Sequence, residues 1–270
     1  MRDSRSARRT PRRWPHDVEA VTPVPPRPLR HVLFRQYWRD LVFLHWEADP
    51  FEVARLLPPG TVPDLHHGRA YAGLVFFRMQ DLAVGAGPPL PWLGTFDEVN
   101  VRLYSRDALG RRGVVFRSLD CDRLLPVLAA RAGFGLPYRW SRITSQRDGG
   151  RLLYRTRGRL RGGPDGHVRT ETGDEAVAPG PLDEFLTCRW GLHERGWTRT
   201  YYLPNVHPRW TFRRCDLLDW DAAELLAAAG VRPLRAEPDS VLYAPGVPVR
   251  FGPPVPLPRE APPWRPPAAT

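Results

Sequence analysis

Asp97-Glu98-Val99-Asn100-Val101-Arg102-Leu103-Tyr104-Ser105 is the stretch on which the fold turns. Its residue types alternate two by two, the period of a β-strand, whose side chains point to opposite faces in turn. Val99, Val101 and Leu103 share one face. Glu98, Asn100, Arg102 and Tyr104 share the other, a row of hydrogen-bonding groups open to two readings. The row meets water, as one face of an antiparallel strand commonly does, or it lines a polar cavity inside a closed sheet.

The flanking sequence continues in the same style, with short apolar or alternating runs cut by Gly and Pro. These predict strands at residues 41–47, 71–78, 113–120, 198–203, 210–215 and 241–244, with a hairpin joining 142–146 to 152–157 across Asp148-Gly149-Gly150. Helices are expected at 50–57, 182–192 and 221–229. The last two open with acids in the first turn, and the last is closed by Gly230. A fourth helix is expected over 124–132, where Pro126 fits the first turn. Many strands with few helices imply a mainly β (α+β) domain, a closed or nearly closed barrel with peripheral helices. The expected organisation is a tail over residues 1–30, one barrel domain over 31–251 and a proline-rich, poorly packed tail over 252–270.

Composition narrows the function classes. Of 270 residues, 42% are hydrophobic and 11% aromatic, enough for a sizeable core. No run approaches the roughly 20 apolar residues that cross a bilayer, and the arginine-rich start lacks the apolar region of a secretory leader. The three cysteines, Cys121, Cys188 and Cys215, are odd in number and widely spaced, which suits reduced thiols in a cytoplasmic protein better than disulfides or zinc. The net charge of +11 comes from 40 basic residues that are all arginine. Codon bias accounts for such uniformity as well as function does. Part of the surplus lies in Arg2, Arg5, Arg8, Arg9, Arg12 and Arg13, a run that makes nucleic acid or an anionic surface the alternative class of partner. A homo-oligomer is compatible with the same composition.

Several chemistries lack their signatures: the sequence has no Gly-x-Ser-x-Gly, no His-Glu-x-x-His and no phosphate-binding loop. His66 and His67 are adjacent on an extended segment, where side chains diverge, so no metal is expected there and no cofactor elsewhere. His45 reads as a core histidine bonded to backbone ahead of a proton-transfer group, and His207 as a cap or stacking residue. The ten tryptophans are scattered, as core residues are.

His45-Trp46, the run from Asp64 through Gly68 to Phe77, Phe96-x-Glu98-Val99-Asn100-Val101-Arg102-x-Tyr104, Ser118-Leu119-Asp120, Leu136-Pro137-Tyr138, Leu182-x-x-Phe185-Leu186-Thr187-x-Arg189 and His207-Pro208-x-Trp210 follow one another in a recognisable order. Together they resemble the YqjF-like family, domain-of-unknown-function family 2071, over residues 35–217. That family is grouped with acetoacetate decarboxylase, a cone-shaped β-barrel enclosing its active site. The resemblance implies the same fold, and it moves the polar row of 98–104 into the barrel.

It does not carry the decarboxylase chemistry across. That enzyme attacks a ketone with one lysine activated by a second, and where a Pro-Lys-Lys would stand this chain has Pro137-Tyr138-Arg139. It contains no lysine at all, and neither tyrosine nor arginine forms an imine. What the resemblance leaves is a pocket for a small organic acid or carbonyl compound. Glu98 and Tyr138 are its candidate acid–base groups, and Arg102, Arg131, Asn100 and His45 its candidate binding groups. An ion pair between Arg102 and Glu98 or Asp120 is an equally good reading of that arginine.

Overall fold

The computed structural model describes residues 18–258. In chain order its elements are β1 (Phe34–Ala48), α1 (Pro50–Leu56), β2 (Thr61–Pro63), β3 (Ala70–Val84), β4 (Phe96–Asp107), β5 (Arg112–Cys121) and α2 (Leu124–Phe134). There follow β6 (Tyr138–Asp148), β7 (Arg151–Gly158), β8 (Asp165–Val177), α3 (Pro181–Thr187), β9 (Gly191–Arg195), β10 (Thr200–Val206), β11 (Phe212–Asp221), α4 (Ala223–Ala228), β12 (Ser240–Phe251) and β13 (Val255–Pro256).

Strand pairing closes two rings on one wall. β4, β5, β6, β7, β8, β11, β12, β1 and β3 close a ring of nine strands. β5 also pairs with β9 and β12 with β10, so β12, β1, β3, β4, β5, β9 and β10 close a second ring on the other side. Strands β1, β3 and β4 therefore have protein on both faces. Val42, Leu44, Trp46, Leu74, Phe76, Val99 and Val101 point into the nine-strand ring, where Ile143, Leu152, Tyr154, Val168 and Leu225 meet them. Leu41, Phe43, Val75, Phe77, Phe96 and Tyr104 point into the other. Alternation, which on an ordinary strand separates core from water, here separates one interior from the other.

Local sequence accounts for most boundaries. Asp49 caps α1 by accepting the Phe51 and Glu52 N–H groups at 2.7 and 3.0 Å. The expected hairpin turns through Gly149-Gly150 between Asp148 and Arg151, with Gly149 at φ 54°. Gly230 follows α4 at φ 76°, as expected of a residue closing a helix. Trp210 lies outside β11, and Asp221, expected in the helix, ends that strand.

Other departures have physical reasons. The expected helix over 182–192 stops at Thr187, whose hydroxyl bonds back to Asp183 O at 2.6 Å, and β9 begins at Gly191. A side chain at Gly191 would lie 2.2 Å from the Tyr202 ring, so the strand pairing demands glycine. β8 was not foreseen because its inward residues, Gly166, Val168, Thr170 and Thr172, include only one strongly apolar side chain. Residues 18–30, expected within a tail, lie on the barrel: Arg112 Nε donates to Glu19 O at 2.6 Å, and Trp190 Nε1 to Thr22 O at 3.1 Å. Beyond Gly252, β13 pairs with β10, and Leu257 is buried, contrary to the poorly packed end expected there. The arginine run 2–13 lies outside the described residues.

Ser105, His193 and Asp107 form a sealed polar knot. Ser105 Oγ is 2.8 Å from His193 Nδ1, and His193 Nε2 is 3.4 Å from Asp107 Oδ2. All three are wholly buried, and a Cβ at Gly113 would lie 2.8 Å from the imidazole. A nucleophile needs room for its substrate, so this cluster is part of the packing.

The double ring predicts where stability resides. Leu44→Ala, inside the nine-strand ring, should lower the unfolding free energy by about 2–5 kcal/mol in urea titrations. Leu218→Ala, on the outer side of β11, should change it by less than about 0.5 kcal/mol. Equal losses would mean that the nine-strand ring does not hold the packed core.

Candidate functional site

The second ring encloses a cavity of about 400 Å3, within the range of small-molecule sites. Each of its seven strands contributes to the lining, as with Phe43 of β1, Phe77 of β3, Glu98 of β4, Val114 of β5, Leu192 of β9, Leu203 of β10 and Phe251 of β12. Leu90 and Leu93 of the β3–β4 loop and Leu125, Ala129 and Phe134 of α2 border one end. Leu90 and Leu125 are partly exposed there, which makes this end the mouth. The opposite end is closed around Arg102, Thr187, Arg189 and His207.

The polar face of β4 points inward, so the structure decides between the two readings of that strand: Glu98, Asn100 and Arg102 line the cavity and all three are buried. Tyr138 joins them from the start of β6. It is presented by the irregular run after α2, where Gly135 adopts φ 70°, and its hydroxyl donates to Glu98 Oε2 at 2.8 Å. Burial in apolar walls pushes the Glu98 carboxyl up to about 7, against the lowering effect of bonds from Tyr138 and Asn100. Burial and the adjacent Glu98 likewise raise the Tyr138 phenol well above its ordinary value. A carboxyl poised near neutrality beside a phenol that keeps its proton can give or take a proton at physiological pH.

Arg102 makes neither ion pair considered for it. Its Nε donates to the Tyr104 hydroxyl at 3.1 Å and its Nη2 to Leu186 O at 3.3 Å, while its guanidinium carbon lies 5.3 Å from the centre of the Phe43 ring. Asp120 instead holds Arg139 at 2.5 Å and Ser141 at 2.7 Å, so Arg139 does not line the cavity. Arg131 is a correction. It lies exposed on α2, because Ala129 and Ala130 take the cavity side and the next residue is rotated by about 100°. His45 is wholly buried but sits behind Arg102 and Tyr104, outside the lining; neither ring nitrogen has a partner, contrary to the backbone bond expected. Burial first, then the charges of Arg102 and Arg189, keep it neutral by lowering its pKa well below the usual value.

The charged group that sequence reading missed is Arg189, between α3 and β9. Its Nη1 donates to Asp64 Oδ2 at 2.5 Å, while its Nε and Nη2, also buried, have no partner. The motif Phe185-Leu186-Thr187-x-Arg189 had signalled it without a role. Asn205 brings a further buried, unpartnered oxygen, and His207 stacks on Trp190 at 4.5 Å, as one of its two readings required. Burial holds His207 down at about 4, so it is neutral near pH 7. Among the described residues no three His, Cys, Asp or Glu side chains gather as metal ligands would, and no helix is long and apolar enough to cross a membrane.

Closed β-rings around a polar-ended cavity define the class: this chain has the acetoacetate decarboxylase-like fold. In solved structures that fold recurs in the enduracididine biosynthesis enzyme MppR with HEPES buffer bound, at TM-score 0.61 and 17% identity over 86% of this chain and 90% of that one. MppR has also been solved in complex with pyruvate. Acetoacetate decarboxylase from Legionella pneumophila matches at TM-score 0.54 and 15% identity over 86% and 90% of the two chains.

Residues 35–248 match the profile of domain-of-unknown-function family 2071, described as an uncharacterized conserved protein, and the chain belongs to that family. The uncharacterized protein YqjF of Bacillus subtilis is 28% identical over 186 residues, 68% of this chain and 76% of its own length.

The raised Glu98 carboxyl fixes the sign of a pH effect. Its unfolded value is near 4.5 and its folded value about 7, so the native state binds the extra proton between them. The stability tied to that proton is complete below pH 4.5 and is lost as pH rises through about 7. Glu194, raised to about 8 by burial, acts in the same direction, so the comparison must isolate Glu98. Between about pH 5 and pH 8, wild type should lose more stability than Glu98→Gln in chemical denaturation. Parallel curves would place the Glu98 pKa at its ordinary value.

Proposed function

We propose that this protein binds a small organic acid or carbonyl compound in the seven-strand cavity, where Glu98 and Tyr138 exchange a proton with the ligand. The observation that carries this reading is the Glu98–Tyr138 pair, a neutral-range carboxyl bonded to a protonated phenol on the wall of an apolar cavity. Arginines at the far end supply donors suited to a carboxylate. MppR, which shares the fold, has been solved in complex with pyruvate, a small keto acid, and this supports the ligand class by analogy of fold.

The chemistry is independent of lysine. Glu98 as carboxylate removes a proton next to a carbonyl, or as acid gives one to the carbonyl oxygen; Tyr138 donates to that oxygen and is bonded to Glu98 when the site is free. We also propose a cytoplasmic location, on the ground that Cys121, Cys188 and Cys215 are all free, as thiols are in a reducing compartment. The alternative, a nucleic-acid or anionic-surface binder, gains no support from the fold or from the matched proteins.

A thermal-shift panel of keto acids, hydroxy acids and neutral carbonyl compounds tests binding, because a ligand taken up only by the native state raises its melting temperature. Carbon acids that bind should then exchange their acidic C–H for deuterium in heavy water. The rate should rise with pH to a plateau above about 7, and should fall by about 10²–10⁴-fold in Glu98→Gln. Binding without any exchange would remove the acid–base role and leave a binding protein. A flat panel would remove the ligand class itself.

A further inference from the structure

The cavity is larger and more apolar than a three- or four-carbon acid requires, and its charged groups stand at two separate stations. At about 30 Å3 per water molecule, 400 Å3 would take roughly a dozen waters. An acid of pyruvate's size would leave most of that space empty against Trp38, Phe43, Val75 and Phe77, all in the lining. Glu98 and Arg102 face the same interior from one strand, four residues apart, which at about 3.3 Å per residue separates their backbones by about 13 Å. Their cross-strand partners repeat the order along β3: Phe77 opposite Glu98, Val75 opposite Asn100 and Gly73 opposite Arg102. The Glu98–Tyr138 station lies toward the mouth and the arginine station at the closed end; Asn100 stands between them on β4, opposite Val75, in a wall that is otherwise aromatic and aliphatic.

The closed end also holds more basic than acidic groups, and only aromatic faces offset part of the difference: the Arg189 guanidinium carbon lies 4.3 Å from the Phe185 ring centre and 4.9 Å from that of Tyr104. Arg102 and Arg189 stand there with Asp64 as the nearby carboxylate, and Arg112 holds that same carboxylate at 2.5 Å. Buried guanidinium groups are unfavourable unless paired. Arg189 nevertheless keeps two nitrogens without a partner, although it is 4% exposed and lines the cavity. Gly73 gives this station its room: a Cβ there would lie 2.9 Å from the Tyr104 hydroxyl and 3.2 Å from Arg102 Nε.

We infer that the ligand of this cavity is an elongated amphipathic acid, its anionic head held at the closed end by Arg189 and Arg102 and its apolar body lying along β3 and β4 past Glu98 toward the mouth. The inference rests on the binding reading above and narrows it from small acids in general to acids with a long hydrocarbon or aromatic body. Head-first entry places the reacting carbon on the body, several bonds from the head, opposite Glu98 and Tyr138.

Calorimetric titration of the full chain with butanoate, hexanoate, octanoate and decanoate tests it, with the matching straight-chain alcohols as neutral-headed controls. Each added methylene should tighten binding about fourfold until the cavity is filled. The alcohols should bind at least about tenfold more weakly than acids of equal length. Arg102→Gln, checked for folding by its melting curve, should weaken the acids by a larger factor than the alcohols. Butanoate binding as tightly as decanoate would overturn the elongated body, and alcohols matching acids would overturn the anionic head. Tight binding of short keto acids with none of the long acids would overturn this inference while sparing the reading it rests on; no binding by any acid, short keto acids included, or by neutral carbonyl compounds would overturn both.

Discussion

Everything in this molecule depends on β1, β3 and β4 being buried on both faces. A strand that serves as a wall between two interiors has no solvent side on which to place its polar residues, so every polar group it carries must find a partner inside. On β4 the odd-numbered positions 99, 101 and 103 satisfy the nine-strand core with Val and Leu. The even-numbered positions 98, 100 and 102 present a carboxyl, an amide and a guanidinium to the cavity. The cost of burying them is met partly by Tyr138, Tyr104 and the Leu186 carbonyl, and the remainder appears as the raised Glu98 carboxyl and the orphaned Asn100 oxygen. The site's chemistry follows directly from a topological constraint.

Arginine shapes the other end of the cavity. Because its charge persists at any physiological pH, the closed end cannot relieve itself by shedding a proton, as a lysine in the same surroundings would. The charge state of the cavity therefore changes at Glu98 alone among the groups just described: His45 and His207 are held neutral by burial and Tyr138 keeps its proton.

The chain's alternation made part of this legible. The two faces of 97–105 could be separated by inspection, whereas Glu98 and Tyr138 came together through the family resemblance, which set Tyr138 where a lysine would stand and Glu98 on a barrel strand. Choosing the cavity over water needed the family resemblance, since period-two alternation looks the same whether the polar face meets solvent or a second interior. The rest was hidden for specific reasons. β8 turns small and polar residues inward and so shows no apolar face. β9 follows α3 after only three residues, and its short Gly191-Leu192-His193 start reads as a continuation of the helix. Arg131 and Arg189 are both arginines near irregular backbone, and only the rotation of α2 and the closing of the second ring show that the latter is inside. Cavity volume is set by strands distant in sequence, and no local pattern encodes it.

The segment at residues 18–30 ties the entry of the chain to the floor of the cavity. Glu19 accepts from Arg27 at 2.6 Å and holds Arg112 through both its carbonyl and its carboxylate; Arg112 in turn grips Asp64, the same carboxylate that orients Arg189. A chain trimmed to begin at residue 31, where the proline-rich composition invites a cut, would leave Arg112 without its outer anchor and Asp64 to be shared differently. One trimmed to begin at residue 18 would keep the relay whole. The boundary suggested by composition and the boundary required by the site thus differ by about one short peptide, and the arginine at the cavity floor depends on which is chosen.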